Sequence, residues 1–140
     1  MGCGGAARVT AVQVRRIARL REPEPWPALR VRRHDATAAR RLFQDMCVIE
    51  AHRTSLPSGP INCPADWGVS YDGAFYAGGQ RVAAFSYAPS GCASLLLITG
   101  GHRESTAFSG AALRAEPRSF SADFARVLGI SPAKAFGPPS

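Results

Sequence analysis

The chain has 140 residues, 46% of them apolar and 19% charged, a composition that excludes wholesale disorder and suits one domain with a modest core. No apolar run approaches the roughly 18 to 20 residues of a helix that spans a bilayer, the longest, 93–99, being of strand length. The formal net charge of +7 belongs to the front of the chain, where residues 1–41 carry ten arginines against three acids, while the rest is balanced. Such asymmetry invites a nucleic-acid or anionic-membrane reading. Sixteen arginines beside the single Lys134 fit a GC-rich coding bias better, because phosphate-binding surfaces normally carry both Lys and Arg, and no nucleic-acid motif accompanies them.

In chain order, Met1-Gly2-Cys3-Gly4-Gly5-Ala6-Ala7 reads as a flexible leader. From Arg8, the alternation of Val9, Ala11 and Val14 with polar residues predicts a strand, bulged near Arg15-Arg16. Three prolines in 22–27 end it. A short second strand follows over 28–33, its Arg30 and Arg32 forming a basic face. Asp35 is placed to cap a helix over about 36–50 that buries Ala39, Leu42, Phe43, Met46 and Cys47. Val69, Tyr71 and Phe75 mark a strand over 68–76, and Ala77-Gly78-Gly79-Gln80 supplies a hairpin turn into a strand over 81–87. A fifth strand spans 93–99. After an irregular stretch, Ser121 caps a last helix that Gly129 closes. The order β-β-α-β-β-β-α predicts a single α+β domain over 8–130, with an antiparallel sheet of about five strands, two helices on one face and a frayed tail over 131–140.

Four cysteines allow three full pairings. Cys63 and Cys92, each at the entrance of a strand in the meander, are the natural couple. Their bond would close a loop of about 30 residues and stabilise by roughly 3 to 4 kcal/mol in the chain-entropy model. Cys47 reads as a buried thiol on the apolar helix face. Cys3, after Met1-Gly2 and before two glycines, has the setting of a lipid-modified cysteine. No cysteine or histidine spacing suggests a metal.

The strand Ala28-Leu29-Arg30-Val31, the segments Met46-Cys47-Val48 and Leu56-Pro57-Ser58-Gly59, the block running from Asn62-Cys63-Pro64-Ala65-Asp66 through Trp67 to Tyr71, Pro89-Ser90-Gly91-Cys92 and Phe124-Ala125-Arg126-Val127-Leu128-Gly129 together resemble small extracytoplasmic proteins of actinobacteria, many of them predicted lipoproteins. The resemblance covers roughly residues 8–130. It implies export, a Cys63–Cys92 disulfide and a candidate lipid on Cys3, and brings no activity with it. A looser similarity is to the secreted subtilisin inhibitors of the same bacteria, in which an exposed loop follows the first cysteine of a disulfide. Here that loop would be Pro64, Ala65, Asp66 and Trp67, and the second disulfide of those inhibitors has no counterpart.

Side chains suited to catalysis are sparse. Cys47 and His52 could form a nucleophile and base, but their spacing does not put them on one helix face and Cys47 belongs to the core. Asp66 has no carboxylate partner nearby for acid–base work, and Gly100-Gly101-His102-Arg103-Glu104 reads as a turn with solvated charges. The expectation is therefore a non-enzymatic domain without cofactor or metal, secreted or lipid-tethered, that binds a protein or cell-envelope component through loop and sheet surfaces. A protease inhibitor using residues 64–67 is the first alternative. A basic nucleic-acid binder using the arginines of 8–41 is the second and the less favoured.

Overall fold

The computed structural model describes residues 3–18, 26–51, 68–89, 94–100 and 119–136. A 3-10 helix, Cys3–Arg8, leads into β1 (Ala11–Ala18), β2 (Arg30–Arg33), α1 (Ala36–Ala51), β3 (Val69–Ala77), β4 (Gln80–Ala88) and β5 (Ser94–Thr99). Two helices close the chain, α2 (Ser119–Leu128) and the short α3 (Pro132–Phe136). All five strands join one antiparallel sheet in the order β2-β1-β3-β4-β5. The expected α+β architecture is thus observed, and α1 carries the chain from the β2 edge to the far side of β1.

Strand parity decides what each face does. Val12, Val14, Tyr71, Phe75, Phe85, Tyr87, Leu95 and Leu97 share one face and are buried. Helix α1 lays Leu42, Phe43, Met46 and Ile49 on it, with the Phe43 and Phe75 rings edge-on at 5.1 Å. Helix α2 adds Phe120 and Phe124, one turn apart on the same stripe. Burying Phe120 starts α2 at Ser119, ahead of the expected cap at Ser121. Gly73 also lies on this face, between Val14 and Phe85. A side chain there would collide with the Phe85 ring and the Gln13 carbonyl, so the glycine is what allows Phe85 to lie across β3.

The helix ends follow from local chemistry. Asp35 Oδ1 accepts from the Ala38 N–H at 3.1 Å, the predicted N-cap. At the end of α2, Gly129 takes φ 76°. The Gly129 N–H bonds to Arg126 O and the Ile130 N–H to Ala125 O, a Schellman closure. Arg33 then donates to the Val127 and Leu128 carbonyls at 2.8 and 3.4 Å, setting a cation at the negative end of the helix.

Both ends of the domain extend beyond the sequence expectation. Instead of a free leader, residues 3–8 form the 3-10 helix; Ala6 and Val9 are buried, and Arg40 Nε donates to the Val9 carbonyl at 2.8 Å. Instead of a frayed tail, 132–136 form α3, which docks through Tyr71. The Tyr71 hydroxyl donates to Ala135 O at 2.6 Å and accepts from Arg16 Nε and Nη2. Arg16 further donates to Pro27 O and Lys134 O, and its guanidinium stacks over the Trp26 and Tyr71 rings at 5.1 and 5.5 Å. One arginine thus joins β1, β3, the entry to β2 and α3.

Burial pushes the Tyr71 hydroxyl above the ordinary tyrosine range, and the hydrogen bonds and charge of Arg16 offset part of that. A raised folded value means that the contribution of the neutral phenol is complete below the unfolded pKa of about 10 and is lost as pH rises through the folded one. Tyr71→Phe removes the hydroxyl and leaves Arg16 short of an acceptor, so we expect a loss of about 1 to 3 kcal/mol at pH 7. Urea denaturation at pH 7 and in the alkaline range checks both parts: the variant starts lower and declines less steeply with pH.

Candidate functional site

The opposite face of the sheet carries the candidate site. Among the described residues, no helix covers it. Parity puts Gln13 and Arg15 of β1, Arg30 and Arg32 of β2, and Asp72, Ala74 and Tyr76 of β3 on this side. Arg81 joins them through an irregularity. The β3–β4 register pairs Phe75 with Ala83 but Tyr76 with Arg81, leaving Val82 as the extra residue of a bulge. Under strict alternation Arg81, two residues from the core-facing Ala83, would have core parity; the bulge turns it outward. The sequence placed a bulge at Arg15-Arg16, where the register is in fact continuous.

The long side chains surround a shallow depression of about 270 Å³, lined by Gln13, Arg15, Arg30, Asp72, Gly73, Ala74, Tyr76 and Arg81. Small residues, Gly73 and Ala74 on β3, form its floor, so the longer side chains around them leave a hollow. Arg32 borders it, its guanidinium 4.5 Å from the Tyr76 ring centre and donating to Gln13 Oε1 at 3.2 Å.

The charges on this face do not balance. Arg15 stands directly opposite Arg30 across the β1–β2 ladder and opposite Asp72 across the β1–β3 ladder. Like charges in directly opposed positions destabilise a sheet. Among the described residues the compensating contact is Arg15 Nη2 to Asp72 Oδ2, 4.0 Å long with both side chains about half exposed, a geometry worth little. Four guanidinium groups therefore face one carboxylate among the described residues.

Comparison with known protein families, with curated proteins and with solved structures returns no match. Arginine stays protonated at any ordinary pH and offers five N–H donors in a planar fork, so a cluster of arginines binds and orients anions but does not shuttle protons. Among the described residues no three His, Cys, Asp or Glu side chains gather as metal ligands, and no helix is long and apolar enough to cross a membrane.

The residues singled out from the sequence fare differently. Cys3 is not a free lipid acceptor. Its sulfur is bonded to Cys47, with the Cα atoms 5.9 Å apart, and a thiol spent in a disulfide cannot form the thioester or thioether of a lipid anchor. Cys47 is accordingly half-buried and bonded, not a free core thiol and not a nucleophile. Cys63, Cys92 and the loop Pro64, Ala65, Asp66 and Trp67 lie outside the described residues, as do His52 and 101–104.

Six of the arginines of 8–41, treated as one group in the sequence, divide into two sets of three. Arg16, Arg33 and Arg40 turn inward and are bonded to backbone carbonyls. Arg15, Arg30 and Arg32 turn outward. The alternation Arg30-Val31-Arg32 already marked the basic face of β2, but strand order and the bulge were needed to bring Arg15 and Arg81 to it.

Proposed function

We propose that this protein is a non-enzymatic binding domain, exported from the cytoplasm, that engages an anionic partner through the outer face of its sheet. The observation that carries this reading is the direct opposition of Arg15 and Arg30 beside Arg81 over a small-residue floor. Such a cluster costs stability in the free protein and is relieved when an anion lies between the guanidinium groups. The Cys3–Cys47 disulfide supports export, since structural disulfides persist mainly in oxidising compartments. The resemblance to actinobacterial extracytoplasmic proteins agrees with that location. With Cys3 bonded, the secreted form is preferred over the lipid-tethered one.

Amide chemical-shift mapping tests the reading. On titration with inorganic pyrophosphate at low salt, the shifts should concentrate at Gln13, Arg15, Arg30, Asp72, Tyr76 and Arg81, and should be lost in Arg15→Ala/Arg30→Ala. Shifts scattered over the helical face, or unaltered by the double substitution, would overturn it.

A further inference from the structure

Resting on the reading of the outer face as an anion-binding surface, we infer that its ligand is an acidic polysaccharide, a chain of sugars bearing carboxylate or sulfate groups, laid across the strands from β2 to β4. Small ligands that bind tightly are enclosed on most of their surface, whereas this depression is open and shallow. An extended chain matches it better. Arg30 and Arg15 lie side by side on β2 and β1, level with Asp72, whereas Arg81 lies on β4 level with Tyr76. Three strand spacings of about 4.8 Å across and four residues of about 3.3 Å along separate Arg30 from Arg81, a diagonal of roughly 20 Å. That is a spread of charges across the sheet rather than a single-anion pocket.

The groups between the arginines suit hydroxyls. Asp72 is acceptor-only when ionised, and Gln13 both donates and accepts. A carboxylate beside the Arg15–Arg30 pair repels a ligand made only of phosphates. For a sugar it accepts a hydroxyl proton that such a polymer does not have. Single-stranded nucleic acid requires free aromatic platforms for its bases. The one aromatic ring on the described outer face, Tyr76, already has the Arg32 guanidinium over it at 4.5 Å. Reading a duplex takes a helix or β-ribbon that enters a groove, and this face is a depression.

The experiment compares three polymers of matched charge number at fixed low salt: polygalacturonate, polyphosphate and oligo-dT. Polygalacturonate is expected to bind tightest, and Arg81→Ala to weaken it about fivefold, the upper range for one exposed ion pair. Asp72→Ala supplies the sharper readout, because its two effects have opposite signs: it should weaken polygalacturonate and tighten polyphosphate. Asp72 is half exposed on a strand surface, and circular dichroism confirms that the variant folds. If Asp72→Ala tightens all three polymers, or if oligo-dT or polyphosphate binds wild type at least as well, the sugar inference is overturned while the anion-binding face stands. If none of the three binds and pyrophosphate shifts no outer-face amide, the reading of the face falls with it.

Discussion

Phe124→Ala is expected to lower stability by about 3 to 5 kcal/mol, the cost of removing a buried aromatic side chain from a packed core. Phe124 has no solvent exposure, and five other rings surround it. The centroids of Tyr71 and Tyr87 lie 5.0 and 5.2 Å away in edge-on geometry. Those of Phe136, Phe120 and Phe85 lie at 5.9, 6.0 and 6.2 Å. Edge-to-face pairs contribute beyond their buried area because the positive ring edge meets the negative face. The ring is also where α2, α3 and two central strands meet, so the cavity cannot close by shifting one element. For a chain of this length the loss is a fall in melting temperature of ten degrees or more. Phe124→Leu, which keeps most of the volume, should lose less than half as much; equal losses would mean that ring geometry, not volume, holds the cluster.

Opening the Cys3–Cys47 bond is expected to have an effect of similar size. The sequence separation is 44 residues, and a closed loop of that length stabilises by about 4 kcal/mol in the chain-entropy model. The bond fastens the N-terminal 3-10 helix to α1, where Ala6 and Val9 complete the core. Cys3→Ser/Cys47→Ser should therefore unfold at lower urea than the oxidised wild type, and the two proteins should match when both are reduced. Alkylation without reduction, followed by peptide mass analysis, should leave Cys3 and Cys47 unlabelled.

What was legible in the sequence was local. The apolar stripe of α1, its Asp35 cap, the Gly78 turn and the Gly129 closure each depend on residues within a few positions of one another, and each appears where expected. The pairing of Cys3 was not legible. It depends on the first turn of the chain meeting a helix more than forty residues later, a tertiary fact that periodicity does not carry. The arginines show the same divide. Alternation revealed the basic face of β2. That Arg33 closes the end of α2, that Arg40 holds Val9 O and that Arg16 gathers Tyr71, Pro27 and Lys134 could not be read from spacing. Arg81 misleads for another reason: its side follows from one extra residue in β4, and a single-residue slip reverses every side chain beyond it.

This division of the arginines is the central claim, and paired thermal melts test it most directly. Arg16→Ala/Arg33→Ala/Arg40→Ala removes donors to backbone carbonyls and should lower the melting temperature by about ten degrees or more, at ~1 kcal/mol or above per lost charged hydrogen bond. Arg15→Ala/Arg30→Ala/Arg81→Ala removes the opposed Arg15 and Arg30 charges together with one long, half-exposed ion pair to Asp72, so the protein should melt within about three degrees of wild type or above it and no longer respond to pyrophosphate. Residues kept at a cost to stability are the signature of a functional surface. If the outer-face triple variant instead melts as low as the inward one, those arginines hold the fold together and the binding face does not exist.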